Sequence, residues 1–110
     1  MNDRHRHWSH KSQWTRALRQ AAWALAKQTG IPALDSCSVE LLYEPAARRR
    51  RDDDNLFATL KPLADGLVDA GVVTDDTPDL MRKTCRIGQI RKPSRLVLVV
   101  ERCEGHREQP

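Results

Sequence analysis

Cys37-Ser38-Val39-Glu40-Leu41-Leu42-Tyr43-Glu44 is the stretch that decides the fold. Cys37, Val39, Leu41 and Tyr43 alternate with Ser38, Glu40, Leu42 and Glu44, a period of two that predicts a strand buried mainly on one face. Pro45 ends it. On its N-terminal side, apolar residues recur at Trp14, Ala17, Leu18, Ala21, Ala22, Leu25 and Ala26, the spacing of one helical face. A helix from Ser12 to Thr29 is expected, with Ser12 as cap, Gly30 closing it and Pro32 preventing its continuation. Its alanines imply close approach to a sheet.

On the C-terminal side of the strand, Leu56, Leu60, Leu63 and Leu67 mark a second amphipathic helix that stops at Ala70-Gly71. Pro62 lies inside it and is expected to kink it or to mark where its regular part begins. After the polar turn Thr74 to Pro78, a strand is expected over Asp79 to Ile87, followed by a loop from Gly88 to Ser94. A last strand is expected over Arg95 to Glu101. Its run Leu96-Val97-Leu98-Val99-Val100 reads as a central strand buried on both faces. The expectation is an α+β fold: a small mixed sheet of three to four strands with two helices packed on it.

The chain of 110 residues is read as one domain, 1–110, with segment 1–11 and tail 103–110 poorly ordered. Low aromatic content leaves the core to Leu, Val and Ala. Cys37, Cys85 and Cys103 lack any Cys-x-x-Cys spacing and are odd in number, which argues against a disulfide framework or zinc site and for a reducing cytoplasm. No apolar run reaches membrane-spanning length, and the start Met1-Asn2-Asp3-Arg4-His5 has no hydrophobic signal region. His5, His7 and His10 have no partner ligand at a recognised spacing. They are read as facing water, with Trp8 packed on the domain.

Charge is distributed unevenly. Lys and Arg number 19 against 15 Asp and Glu, a small surplus, but four arginines, Arg48 to Arg51, run directly into Asp52, Asp53 and Asp54. Guanidiniums present planar donors to phosphate oxygens, whereas closely set carboxylates repel one another unless a hard cation lies between them. If the backbone is still extended there, Asp52 and Asp54 point the same way and Asp53 the other. Helix capping explains one aspartate better than three. Asp76 or Asp75 would return after the second helix to complete an oxygen-rich site, the competing explanation being a polar turn. Lys61 follows Asp54 by seven residues, within roughly 20° of the same helical face. Such clustered carboxylates should hold protons more strongly when no metal is present. Arg82, Lys83, Arg91 and Lys92 are weaker phosphate-contact candidates than Arg48, Arg49, Arg50 and Arg51.

Arg50-Arg51-Asp52-Asp53-Asp54-Asn55-Leu56, Lys61-Pro62-Leu63-Ala64-Asp65-Gly66-Leu67 and Gly71-Val72-Val73-Thr74-Asp75-Asp76 together resemble the R-R-D-x-D-N-L, K-P-L-x-D-x-L and D-D series of the RusA-type Holliday junction resolvases. Those are small dimeric endonucleases, common in phages and prophages, that cut four-way DNA junctions with Mg²⁺ or Mn²⁺. The resemblance covers residues 45 to 101. Asn2 to Trp8 is also similar to a segment near the start of some phage members. The resemblance implies metal-binding carboxylate roles for Asp52, Asp54 and Asp76 and a catalytic phosphate contact for Lys61. It also implies branched DNA as substrate, a homodimer and no organic cofactor. Two departures stand out: three residues are inserted between Leu56 and Lys61 relative to the commoner D-N-L-x-K spacing, and the chain starts beyond the position of the family's N-terminal strand, so that strand is either absent or trimmed away and the sheet is expected to lack an edge. The alternatives are a non-catalytic DNA-binding accessory protein on the same scaffold, or a metal-dependent nuclease of flaps or other branched DNA.

Overall fold

The computed structural model describes the backbone over 2–47 and 52–103, and side chains over 12–47 and 56–103. Five elements follow in order: α1 (Asn2–Thr29), β1 (Cys37–Glu44), α2 (Asp52–Asp69), β2 (Met81–Ile87) and β3 (Arg95–Arg102). They form an α+β fold in which a mixed three-stranded sheet has the order β2-β1-β3. Parallel strands need a crossover, and α2 supplies it: β1 runs parallel to β2, with Cys37 opposite Met81 and Tyr43 opposite Ile87. The connection from β2 to β3 then crosses the end of β1, where the Gly88 N–H donates to the Tyr43 carbonyl and the Arg91 N–H to the Pro45 carbonyl, both at 2.8 Å. β3 returns antiparallel to β1, with Val39 opposite Val100 and Leu41 opposite Leu98.

The core lies between the sheet and α2. Leu56, Leu60, Leu63 and Leu67 are all buried and meet Val39, Leu41, Val72, Val73 and Met81. Truncating one of them, Leu60 for instance, removes the largest kind of contribution available to a domain this small, about 2–5 kcal/mol. Both helices end as their glycines dictate. Gly30 and Gly71 adopt φ of 76° and 86°, a conformation other residues resist. The Ile31 N–H reaches the Ala26 carbonyl at 3.2 Å and the Val72 N–H the Leu67 carbonyl at 3.1 Å, closing carbonyls that the helix ends would otherwise leave open.

Four expectations are corrected. α1 begins at Asn2 rather than Ser12, so Ser12 is interior to the helix and caps nothing; the polar segment before it contains no Gly or Pro to stop a helix. The alanine face of α1 packs on α2, not on the sheet, so only α2 lies directly against the strands. The close approach itself is real. A Cβ at Gly66 of α2 would run into the Arg19 carbonyl oxygen and stand 2.8 Å from the Ala22 Cβ. Arg19 then clamps the pair, its Nε and Nη2 donating to the two Asp69 carboxylate oxygens at 2.6 and 2.9 Å.

The strand beginning at Arg95 is an edge strand, not a central one. Among the described residues it pairs with β1 alone, and Leu96 and Val99, on opposite faces of the sheet, are 47% and 37% exposed. An unbroken apolar run is compatible with burial on both faces but cannot fix a strand's place in the sheet; pairing does that, and the centre went to the alternating strand β1. Its polar residues face the side without helices, where Arg86 pairs with Glu40 at 3.3 Å and Arg95 with Glu44 at 2.6 Å. Because α1 leans on α2 alone, an apolar groove of about 500 Å³ opens between α1 and β3, lined by Leu18, Leu25, Leu67, Leu96, Leu98 and Val100. The last correction is small: β2 starts at Met81, two residues later than expected, since Asp79 still belongs to the preceding turn. α2 is continuous across Pro62. No helix among the described residues is long and apolar enough to cross a membrane.

Candidate functional site

The turn between α2 and β2 is built by its own polar side chains. The Asp75 carboxylate accepts the Asp76 N–H at 2.8 Å, and the Thr77 hydroxyl donates to Asp79 at 2.6 Å. The Leu80 and Met81 N–H groups then close on the Thr77 carbonyl at 2.9 and 2.8 Å. Asp75 is thereby occupied within the turn, which leaves Asp76 as the carboxylate directed at the helix. Of the two, Asp76 is the one that meets a side chain of α2.

Two ammonium groups converge on it. From α2, the Lys61 Nζ donates to Asp76 Oδ2 at 2.9 Å and to Asp65 Oδ1 at 3.2 Å. From β2, the Lys83 Nζ donates to the Asp76 backbone carbonyl at 2.8 Å and to its Oδ2 at 3.3 Å. The Asp76 side chain is 19% exposed, Lys83 26% and Lys61 63%. The result is a compact charged cluster, open to solvent on the Lys61 side. The hydrogen bond from Lys61 holds the Asp76 carboxyl below the usual carboxylate range; partial burial opposes this and Lys83 adds to it. Lys61 is raised in turn, first by Asp76 and then by Asp65. At Asp76 the direction of the shift is set by the two lysines; the side chains of Asp52 and Asp54, the other members of the expected carboxylate cluster, lie outside the described residues.

The acidic run enters α2 with helical backbone from Asp52 onward. Positions two apart on a helix stand about 200° apart around its axis, so the convergence of Asp52 and Asp54 expected from extended geometry does not hold over these residues. The relation of Asp54 to Lys61 does hold on the helical backbone. Seven residues separate the two positions, about 10.5 Å along the axis and within roughly 20° around it. The side chains of Asp52, Asp53 and Asp54 lie outside the described residues, as do Arg48, Arg49, Arg50 and Arg51 and the side chains of His5, His7, Trp8 and His10. Among the described residues no three carboxylates, histidines or cysteines come together as a metal-binding group.

The weaker basic candidates do not form one patch. Arg82 and Lys83 are neighbours on β2 and so project to opposite faces: Lys83 shares the helix side with buried Met81 and is committed to Asp76, whereas Arg82 is exposed on the opposite side. Arg91 donates to the Pro93 carbonyl at 3.1 Å and lies 3.9 Å from Glu44. Its backbone bond to Pro45 fastens the loop carrying Arg91 and exposed Lys92 three residues before the arginine run begins. Asp65 is a site neighbour that the sequence marks only by its i,i+4 spacing from Lys61. For Lys83 the phase with Met81, Cys85 and Ile87 marked its face of β2 but not its partner.

No family model matches the chain. A protein of Xylella fastidiosa (strain Temecula1 / ATCC 700964), described as an uncharacterized protein, is 30% identical over 74 residues, 63% of this chain and 48% of that protein. The chain spans about half the length of the relative it matches.

Proposed function

We propose that this chain is a metal-dependent, structure-specific endodeoxyribonuclease that resolves four-way DNA junctions by paired phosphodiester hydrolysis. The observation that carries the reading is the docking of Asp76, across 15 residues of sequence, onto the same α2 face that carries Asp54 seven positions before Lys61. A further acidic position on the same face, Asp54, is what favours a site over an isolated ion pair.

The donor set suits a hard divalent cation, Mg²⁺ or Mn²⁺: carboxylate oxygens from Asp54 and Asp76, with Asp52 one further acidic residue at the start of α2. Bound there, such a cation supplies Lewis acidity toward a phosphoryl oxygen and lowers the pKa of a coordinated water. The chain's own residues do the rest. Asp76, kept ionised by its two lysines, is ready as an acceptor at neutral pH. Lys61, largely exposed, is the group free to leave Asp76 for a phosphate oxygen and offset charge developing there. Arg48 to Arg51 would hold the DNA backbone on the approach to α2, with Arg91 and Lys92 beside their root, giving binding that falls steeply with salt. A homodimer belongs to the proposal because resolution needs two opposed nicks in a pseudo-symmetric junction; the work would be done in the cytoplasm.

Labelled four-way junction, flap and linear duplex, each incubated with Mg²⁺ or with EDTA, test it. Paired nicks in the junction with Mg²⁺ alone are expected. Cleavage spread over flap and junction would indicate a broader branched-DNA nuclease, and binding without cleavage a non-catalytic accessory protein in which the lysine pairing of Asp76 is the permanent state.

A further inference from the structure

We infer that Lys83 is a positioning residue that holds Asp76 at the site, rather than a contact to DNA; the inference rests on the nuclease reading above for its catalytic consequence, but not for its structural content. Three observations carry it. β2 places Lys83 opposite Val39 on the side of the sheet that α2 covers. Its ammonium is spent on one residue, donating to both the backbone carbonyl and the carboxylate of Asp76. It is also the less exposed of the two lysines by more than a factor of two.

The two lysines therefore have different tasks. Lys61 touches only side chains, so a ligand at the carboxylate can displace it. The bond from Lys83 to the backbone carbonyl, at 2.8 Å the shorter of its two, does not depend on the carboxylate at all. When Asp76 turns its oxygens to another partner, this bond still fixes where the turn stands against β2. The hydrogen bonds internal to the turn shape it without tying Asp76 to the middle of β2, and a misplacement of about 1 Å at a reacting centre is enough to cost on the order of 100-fold in rate.

The test compares the wild-type chain with Lys83→Met, which keeps the aliphatic stem and removes the donor, and with Lys83→Arg, which keeps a charge and a donor. Hydrogen–deuterium exchange, junction Kd in EDTA, its salt dependence, and kcat at saturating junction are measured. For Lys83→Met we expect exchange to quicken at least about fivefold in residues 74–79 but not in α2 or the strands, Kd to stay within about twofold, and kcat to fall about 10- to 100-fold. Lys83→Arg should recover part of the protection and of kcat; if Lys83→Met does not fold, Lys83→Arg carries the comparison, with an intermediate loss in both at unchanged Kd. Unchanged exchange in residues 74–79 overturns the inference. So does a weaker Kd with a salt slope reduced by about one and kcat intact, the signature of a phosphate contact. A wild-type chain that cleaves nothing with Mg²⁺ would sink the nuclease reading, while the exchange comparison would still decide whether Lys83 holds Asp76.

Discussion

Replacing Gly66 with alanine separates two opposing contributions. Gly66 is interior to α2, where alanine is favoured over glycine by about 0.8–1.0 kcal/mol on helix propensity alone. The added methyl, however, would be driven into the Arg19 carbonyl oxygen of α1 and stand 2.8 Å from the Ala22 Cβ. Carbon atoms prefer separations of about 3.5–4.0 Å, so α1 must retreat by roughly 1 Å along its closest contact with α2. The obstructing atom is backbone and cannot rotate aside. Overpacking of this kind costs about 1–3 kcal/mol and more where backbone must move. Retreat also stretches the Arg19–Asp69 clamp and loosens the seating of Ala22 and Ala26. Taking 2–4 kcal/mol for the displacement, the net change is a loss of about 1–3 kcal/mol. At about 4 °C per kcal/mol for a domain of this size, the melting midpoint should fall by roughly 4–12 °C. Urea unfolding followed by circular dichroism measures the free energy, and its unchanged slope would show that compactness of the end states is preserved. A Gly66→Ala variant as stable as the parent, or more stable, would refute the argument, because propensity would then outweigh a contact that does not exist. Gly71→Ala is the contrasting control: nothing crowds its Cβ, and only its φ of 86° resists substitution, so its loss of about 1 kcal/mol should come without any loosening of α1.

Asp54→Asn should abolish junction cleavage while leaving junction affinity within a fewfold, read in paired cleavage and EDTA binding assays; full activity in that variant would remove Asp54 from the site. The Asp69 carboxyl lies below its ordinary value of 3.8 because Arg19 hydrogen-bonds it in the folded chain, so the pairing stabilises the fold above that pH and the contribution is lost as pH falls through the lowered folded value. Asp69→Asn should accordingly be less stable than the parent at neutral pH, with the two acid-unfolding curves converging as pH falls through the lowered folded value; the pair being exposed, the effect should shrink in high salt.

The fold was legible wherever a local rule had a single outcome. Gly30 and Gly71 ended helices because the positive φ of a helix's closing turn suits little else, and the leucine spacing of α2 could only be one face against a core. The alternation in β1 gave its one-sided burial in the same way. Sheet order was not legible, since every strand with an apolar face satisfies the same pattern. The most hydrophobic strand took the edge, because strand order depends on which backbones meet and on where the loop over Pro45 delivers the chain. The start of α1 was invisible for a related reason: Asn2 to Lys11 has no apolar period to read and no residue that forbids a helix.

The site divides along the same line. The spacing from Asp54 to Lys61 needed only a continuous helix, and α2 provides one. The pairing of Asp52 with Asp54 needed an extended backbone, and the helix begins too early for it. What no spacing along the chain could yield is the relation of Asp76 to Lys83, which arises because β2 runs back past the turn that precedes it and brings its third residue level with Asp76. Reading Lys83 as one more basic residue in a pair with Arg82 took sequence adjacency for spatial adjacency. On a strand, adjacent residues are the ones that face apart, so a lysine in phase with Met81 and Cys85 comes up half-buried on the helix side, where its ammonium meets acceptors from the neighbouring turn. Asp76 supplies both of those acceptors, its backbone carbonyl and its carboxylate, so the strand that follows the turn is also bonded back to it.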